Sequence, residues 1–219
     1  MILASQSPRR LEILQELGFA PKIVPAGIDE EVFPNEDPVE LVERLARQKA
    51  RAVWQASSPD DEDELIVAAD TVVWLGNDCL GKPHDAEDAR AMLHELSGVT
   101  HHVSTGVCII KNSFPAVSGQ HEQLLEITSF VETSDVEFYE LTDDQIDAYV
   151  ASGEPLDKAG AYGIQAHGRL LVKSITGDYY NVVGLPVARL IREMDALIGD
   201  SNPREKLVIQ ALLGNAEMR

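Results

Sequence analysis

The order of patterns along the chain predicts an α/β fold (α+β mixed), a mixed sheet with helices on its faces. Three observations carry that prediction. A short apolar run opens the chain and leads directly into a helix that starts with proline. Leu65-Ile66-Val67-Ala68-Ala69 is a continuous apolar run of the kind found in strands buried on both faces. Residues 102–110 and 124–138 read as two long strands around a polar loop, which is a hairpin pattern.

The elements follow in order. Residues 1–4 form a short buried strand. Ser7 is a helix N-cap with Pro8 at the first helical position, where its missing N–H costs nothing; Leu11, Leu14 and Leu17 keep helical spacing and Gly18 stops the helix. A second helix starts at Asp37-Pro38, with Glu40 as the partner of a capping-box-like pair, and runs to about Trp54. The acidic loop 57–64 precedes the buried run. Asp70-Thr71 ends that run, and Val72-Val73-Trp74-Leu75 continues extended to a turn at Gly76-Asn77-Asp78. A third helix covers 85–96 and is closed by Gly98. After the hairpin, Thr142 with Gln145 three residues on starts a helix that ends before Gly153. Residues 169–175 read as a strand turning at Gly177-Asp178, and a helix runs from Pro186 to about Ile198 with Gly199 as its stop. One domain therefore spans 1–199. The tail 200–219 carries a short helical pattern.

Composition narrows the class. The chain has 219 residues and 44% hydrophobic content, enough for a substantial core. No run approaches the ~20 apolar residues of a membrane span, and the first residues lack the basic and apolar regions of a signal peptide. Cys79 and Cys108 make neither a disulfide framework nor a CxxC site, so a cytoplasmic setting without membrane contact is expected. A net charge of −19 argues against a nucleic-acid surface, which needs excess lysine and arginine. An acidic chain still binds a polyanion if its few cations converge, so the positions of those cations matter.

Several segments invite a chemical reading. Gly76-Asn77-Asp78-Cys79-Leu80-Gly81-Lys82 matches seven positions of a P-loop, but the eighth is Pro83, without a hydroxyl, and the segment reads as a hairpin. A turn at 76–78 would put Lys82 across from residues 71–73, near Asp70. Asp70 interrupts an apolar run, where an ionised carboxylate is costly unless paired or metal-bound. Lys49 falls in the apolar stripe Val42, Ala46, Lys49, Val53 of the second helix. Ser7-Pro8-Arg9-Arg10 offers free N–H groups, the positive end of a helix dipole and two guanidinium groups to an anion. A capped helix with surface arginines looks the same. Asp29-Glu30-Glu31 offers carboxylates suited to Mg²⁺. The six histidines form no metal set; His101 and His102 are adjacent, so on a strand they face opposite ways. Gly-x-Ser-x-Gly and Gly-x-Gly-x-x-Gly are both absent.

Taken together, the motifs resemble the Maf family of nucleotide pyrophosphatases, also called septum-formation inhibitors. The matching pieces are Leu3-Ala4-Ser5-Gln6-Ser7-Pro8-Arg9-Arg10, Arg44-Leu45-Ala46-Arg47-Gln48-Lys49-Ala50, Ala69-Asp70-Thr71-Val72-Val73 and Gly81-Lys82-Pro83. Leu96-Ser97-Gly98, His101, Thr105-Gly106-Val107, residues 153–165 and Asn181-Val182-Val183-Gly184-Leu185-Pro186 complete the set. The resemblance implies an elongated fold with a central cleft, related to inosine-triphosphate pyrophosphatases. It implies hydrolysis of a nucleoside triphosphate to monophosphate and pyrophosphate with Mg²⁺ or Mn²⁺. Asp70, Lys49 and Lys82 are then the catalytic candidates. Ser7, Arg9, Arg10, Thr71, Lys158 and Gln165 are the substrate-binding candidates, with Gln165 reading the base. Asp70, Asp29 and Glu30 are the metal candidates.

Arg9, Thr71 and Gln165 match the branch resembling dTTP/UTP pyrophosphatases. The sister branch acting on 7-methyl-GTP typically has an aromatic residue in place of the first arginine and glutamine after the aspartate. A 7-methyl-GTP or broad-specificity pyrophosphatase, and a non-catalytic nucleotide-binding regulator of cell division, are the competing readings. A homodimer is a family-level expectation. Two departures stand out: Gly27-Ile28-Asp29-Glu30 carries one extra residue before it, and Ala166 replaces the glycine usual after the glutamine.

Overall fold

The structure is a computed structural model that describes residues 1–57, 65–113, 124–199 and 206–213. The acidic run at 59–64, the polar loop between the two long strands and most of the tail lie outside the described residues. Strands β1 (Ile2–Leu3), β2 (Lys22–Ile23), β3 (Leu65–Leu75), β4 (Asp78–Leu80), β5 (Thr100–Ser113), β6 (Leu124–Phe138) and β7 (Val172–Thr176) form one mixed sheet. Its order is β2-β1-β3-β5-β6-β7, with β4 also paired to β3. β1 runs parallel to β2 and β3, whereas β5, β6 and β7 pair antiparallel.

Strand alternation divides the core between two faces. Leu65, Val67 and Ala69 of β3 point one way, to a cluster with Leu14 of α1 (Pro8–Glu16) and Leu190 of α6 (Val187–Ile198). Ile66 and Ala68 point the other way, to Ala46, Ala50 and Val53 of α2 (Pro38–Ala56). Beyond the middle of β3 a further cluster gathers Val73, Val103, Val136, Phe138 and Tyr162 under α3 (Ala86–Leu96) and α4 (Asp143–Ala151).

Local signals explain most helix ends. Asp37 accepts from the Val39 and Glu40 N–H groups, Asp85 does the same for α3, and Thr142 with Gln145 completes a reciprocal capping box on α4. Gly76-Asn77-Asp78 begins a hairpin, as the P-loop rejection required; β4 pairs Leu80 with Val73.

β3 runs unbroken through Asp70-Thr71, where the apolar run ends, and on to Leu75, because Gly106 and Thr105 of β5 pair with those two residues. Two expectations are corrected. The strand expected over 169–175 begins only at Val172, since Ala166–Leu170 winds into a 3₁₀ turn that the apolar pattern concealed. Tyr179–Val183 is a short helix, α5, capped by Asp178, where only a turn was expected. In the tail, α7 (Leu207–Leu212) docks on α6: Asp195 accepts from Leu207 N at 2.6 Å, and Leu207 joins the core.

Candidate active site

A cleft of about 560 Å³ opens where β3, α1, α2 and the segment 157–165 meet. Continuing the alternation of β3, Asp70 falls on the Ile66–Ala68 face, towards α2, and Thr71 falls on the opposite face, towards α1. That parity explains the central contact. Lys49, the charged member of the α2 stripe, places its ammonium 2.6 Å from Asp70 Oδ1 and 2.8 Å from Glu30 Oε1. Lys49 and Asp70 are both buried, so each ion offsets the other's lost hydration.

The cleft brings together Ser7, Arg9, Arg10, Glu30, Lys49, Asp70, Thr71, Lys82, Lys158 and Gln165. Five cationic side chains face three carboxylates there, in a chain of net charge −19. The missing convergence of cations is therefore supplied locally. Asp29 is the one predicted site residue outside the lining: Asp29 and Glu30 are both exposed, and Glu30 is the one that borders the cleft.

The residues differ in what they leave free. Ser7 stands at the N-cap of α1 with extended backbone, but its side chain makes no capping bond, so the expected local cap is not closed. Arg10 is not a free guanidinium. It is buried, and donates from Nε to Gly184 O (2.8 Å), from Nη1 to Ala69 O (2.9 Å) and Ser5 Oγ (3.2 Å), and from Nη2 to Thr71 Oγ1 (2.9 Å). The reason lies in the helical step: about 100° of rotation from Arg9 turns Arg10 from the cleft mouth into its wall. Burial pushes the Arg10 guanidinium below its ordinary value, and the charge of Asp70 works against that shift. Thr71 is likewise engaged. Its hydroxyl accepts from Arg10 and lies 2.9 Å from Thr105 Oγ1, which in turn donates to Asn181 O.

Lys158 donates to Asp157 Oδ1 (2.6 Å) and to Glu154 O (2.7 Å). Burial would raise the Asp157 carboxyl, but the Lys158 hydrogen bond and the charges of Lys158 and Arg9 hold it below its usual value. Arg9 and Lys82 make no ion pair among the described residues and remain available to an anion. Tyr162, which sequence reasoning did not single out, forms part of the cleft wall; its hydroxyl lies 2.8 Å from Nε2 of the buried His101. Only its place in the 153–165 segment pointed to it.

Comparison with known proteins identifies the family. The sequence model of the Maf-like protein family matches residues 1–197. A dTTP/UTP pyrophosphatase of Anaeromyxobacter dehalogenans is 50% identical over 188 residues, covering 86% of this chain and 89% of its own. Proteins of the same name from Agathobacter rectalis and Bacillus cereus are each 45% identical, over 206 and 194 residues. Those alignments cover 90% and 89% of this chain and 97% and 93% of the relatives.

Proposed function

The chain belongs to the Maf family, and from that membership we propose that it is a nucleoside triphosphate pyrophosphatase that hydrolyses dTTP and UTP to the monophosphate and pyrophosphate. The observation that carries this reading is the buried Asp70 carboxylate, fixed by Lys49 on the floor of a cleft whose mouth offers Arg9 and Lys82 to phosphate oxygens. Relatives at 45–50% identity that bear the name dTTP/UTP pyrophosphatase support the pyrimidine assignment.

In this mechanism a water oxygen forms the new bond to the α-phosphorus, the bond from that phosphorus to the α–β bridging oxygen breaks, and pyrophosphate leaves. Asp70 accepts the water's proton. Arg9 and Lys82 bind the phosphate oxygens, and Lys49 pairs with Asp70 and orients it. The uncapped start of α1 at Ser7 adds a helix N-terminus directed at the same anion. Gln165 meets the base. Arg10 holds the wall, through the carbonyl of Ala69 and the hydroxyl of Thr71 on either side of Asp70.

The same reading includes Mg²⁺ or Mn²⁺. Glu30 and Asp70 contact one ammonium, so both carboxylates come within reach of a single small cation. No group of three or more His, Cys, Asp or Glu converges among the described residues. Two carboxylates nevertheless fit an ion that takes its remaining oxygens from phosphates and water. Asp70 and Glu30 would hold it; when bound, such an ion neutralises phosphate charge and acidifies water, which matters because an ordinary aspartate, near pKa ~3.9, is a weak base.

The setting in this reading is the cytoplasm, with a nucleotide as the partner. No helix of the described residues is long and apolar enough to cross a membrane. The test is release of pyrophosphate from dTTP, UTP, CTP and 7-methyl-GTP, with and without metal, by the wild type and Asp70→Asn. Metal-dependent turnover of dTTP and UTP that falls at least 100-fold in the variant is expected. Near-normal turnover by Asp70→Asn would remove Asp70 from its role, and preference for 7-methyl-GTP would overturn the substrate.

A further inference from the structure

Gln165 is exposed and sits on an irregular segment, a poor platform for selecting a base unless the backbone around it is fixed. The structure fixes it on both sides from outside the cleft. Tyr149, a buried residue of α4, accepts the N–H of Gly163 at its phenolic oxygen (3.2 Å) and donates that hydroxyl to Glu154 Oε1 (3.1 Å). Glu154 in turn accepts the N–H of Gly168 at Oε1 (3.2 Å) and the N–H of His167 at Oε2 (3.1 Å). The His167 ring nitrogen Nδ1 lies 3.1 Å from the same Oε2. One anchored amide lies two residues before Gln165, and another lies two residues after it.

The two ends also touch. A Cβ added to Gly168 would lie 2.2 Å from the carbonyl oxygen of Gly163 and 2.7 Å from the Tyr149 hydroxyl, so the loop closes on itself over that phenol. The direction of the relay is determined by chemistry. Burial, with the nearby Glu154 charge, keeps the Tyr149 hydroxyl protonated, so it must donate. Burial would raise the Glu154 carboxyl, but the N–H groups of Gly168 and His167 hold it below its usual value, as an acceptor only. Amide, phenol and carboxylate thus point one way, an arrangement in which each hydrogen bond polarises the next. Neither Tyr149 nor Glu154 lines the cleft, so neither is placed to touch substrate.

We propose that Tyr149 and Glu154 are positioning residues for base selection, holding the 163–168 loop so that Gln165 is presented at a fixed place in the cleft. The proposal rests on the reading that Gln165 contacts the base. The phosphate-binding groups Arg9 and Lys82 and the Lys49–Asp70 pair belong to other elements, so base discrimination and phosphate binding are separable in experiment.

The test compares the wild type with Tyr149→Phe, Glu154→Gln and Gln165→Ala. For each, kcat and KM are measured with dTTP, UTP and CTP, the Kd of inorganic pyrophosphate by calorimetry, and folding by thermal melts. Tyr149→Phe keeps the ring in the core and removes only the hydroxyl. Both positioning variants are expected to lower the dTTP-to-CTP ratio of kcat/KM by roughly tenfold, mainly through KM, since small misplacements of a positioning contact are costly. Gln165→Ala should move the ratio in the same direction, with pyrophosphate affinity within about twofold of wild type in all three variants. If Gln165→Ala changes the ratio and the other two leave it alone, the positioning role is overturned. An unchanged ratio in Gln165→Ala overturns the base contact beneath it. Equal losses for every nucleotide and for pyrophosphate would mark a general structural role, and also overturn the proposal.

Discussion

Asp70 and Gly106 lie opposite one another in the β3–β5 ladder, and α2 rests on the sheet at that point because Gly106 has no side chain. A Cβ there would lie 2.3 Å from Val42 O and 2.7 Å from Glu43 N, both backbone atoms of the helix that carries Lys49. The Lys49–Asp70 contact therefore depends on a close approach of helix to strand some two turns away.

Gly106→Ala should lift α2 from the sheet, because neither backbone can yield as a flexible side chain would. Overpacking of this kind costs about 1–3 kcal/mol. For a chain of this size that lowers the melting temperature by several degrees. Turnover is expected to fall by more than tenfold, since Lys49 moves with the helix while Asp70 stays on the strand. Urea denaturation and pyrophosphate release check both. Wild-type stability would show that α2 can shift without cost.

The contrast between α2 and Arg10 shows what the sequence makes legible. The apolar stripe of α2 exposed Lys49 as misplaced, and the break in an apolar run exposed Asp70. Alternation along β3 then accounts for their meeting. Arg10 was legible only as the neighbour of Arg9. Its carbonyl acceptors, on Ala69 and Gly184, lie 59 and 174 residues away, so no local pattern announces them. Glu30 and Asp29 could not be told apart because an irregular segment has no period. The Tyr149–Glu154 hub looked like an ordinary helix end and turn, since its bonds are to backbone amides of a distant loop.

Ala166, standing after Gln165 where the family usually has glycine, adopts φ +49°. Left-handed backbone costs an alanine roughly 1–2 kcal/mol, which a glycine avoids at the expense of greater freedom in the unfolded chain. Ala166→Gly should therefore stabilise the protein by about 0.5–1 kcal/mol, or roughly 1–3 °C in melting temperature. Calorimetry checks this. A fall in melting temperature would mean that the loop does not hold Ala166 in that conformation.

His101 makes stability depend on pH in a window of its own. Its ring is fully buried between Phe138 and Tyr162, Nε2 lies 2.8 Å from the Tyr162 hydroxyl, and Nδ1 has no hydrogen-bond partner among the described residues. Burial, with a smaller contribution from His102, lowers its pKa from 6.5 to about 4. The folded state thus resists a proton that the unfolded chain accepts, so stability is lost as pH falls from about 6.5 towards 4 and is complete above that range. The lost term approaches about 2 kcal/mol by pH 5, at roughly 1.4 kcal/mol per pH unit. The His102–Asp135 and His167–Glu154 contacts lie at partly exposed positions away from this ring nitrogen. Comparison with His101→Phe removes them from the result, because both proteins share them. The variant is expected to be less stable at pH 7.5, having left the Tyr162 hydroxyl unpaired, but to show a flatter decline between pH 6.5 and 5. Urea midpoints across that range measure the difference; parallel curves for the two proteins would rule out His101 as the source of the slope.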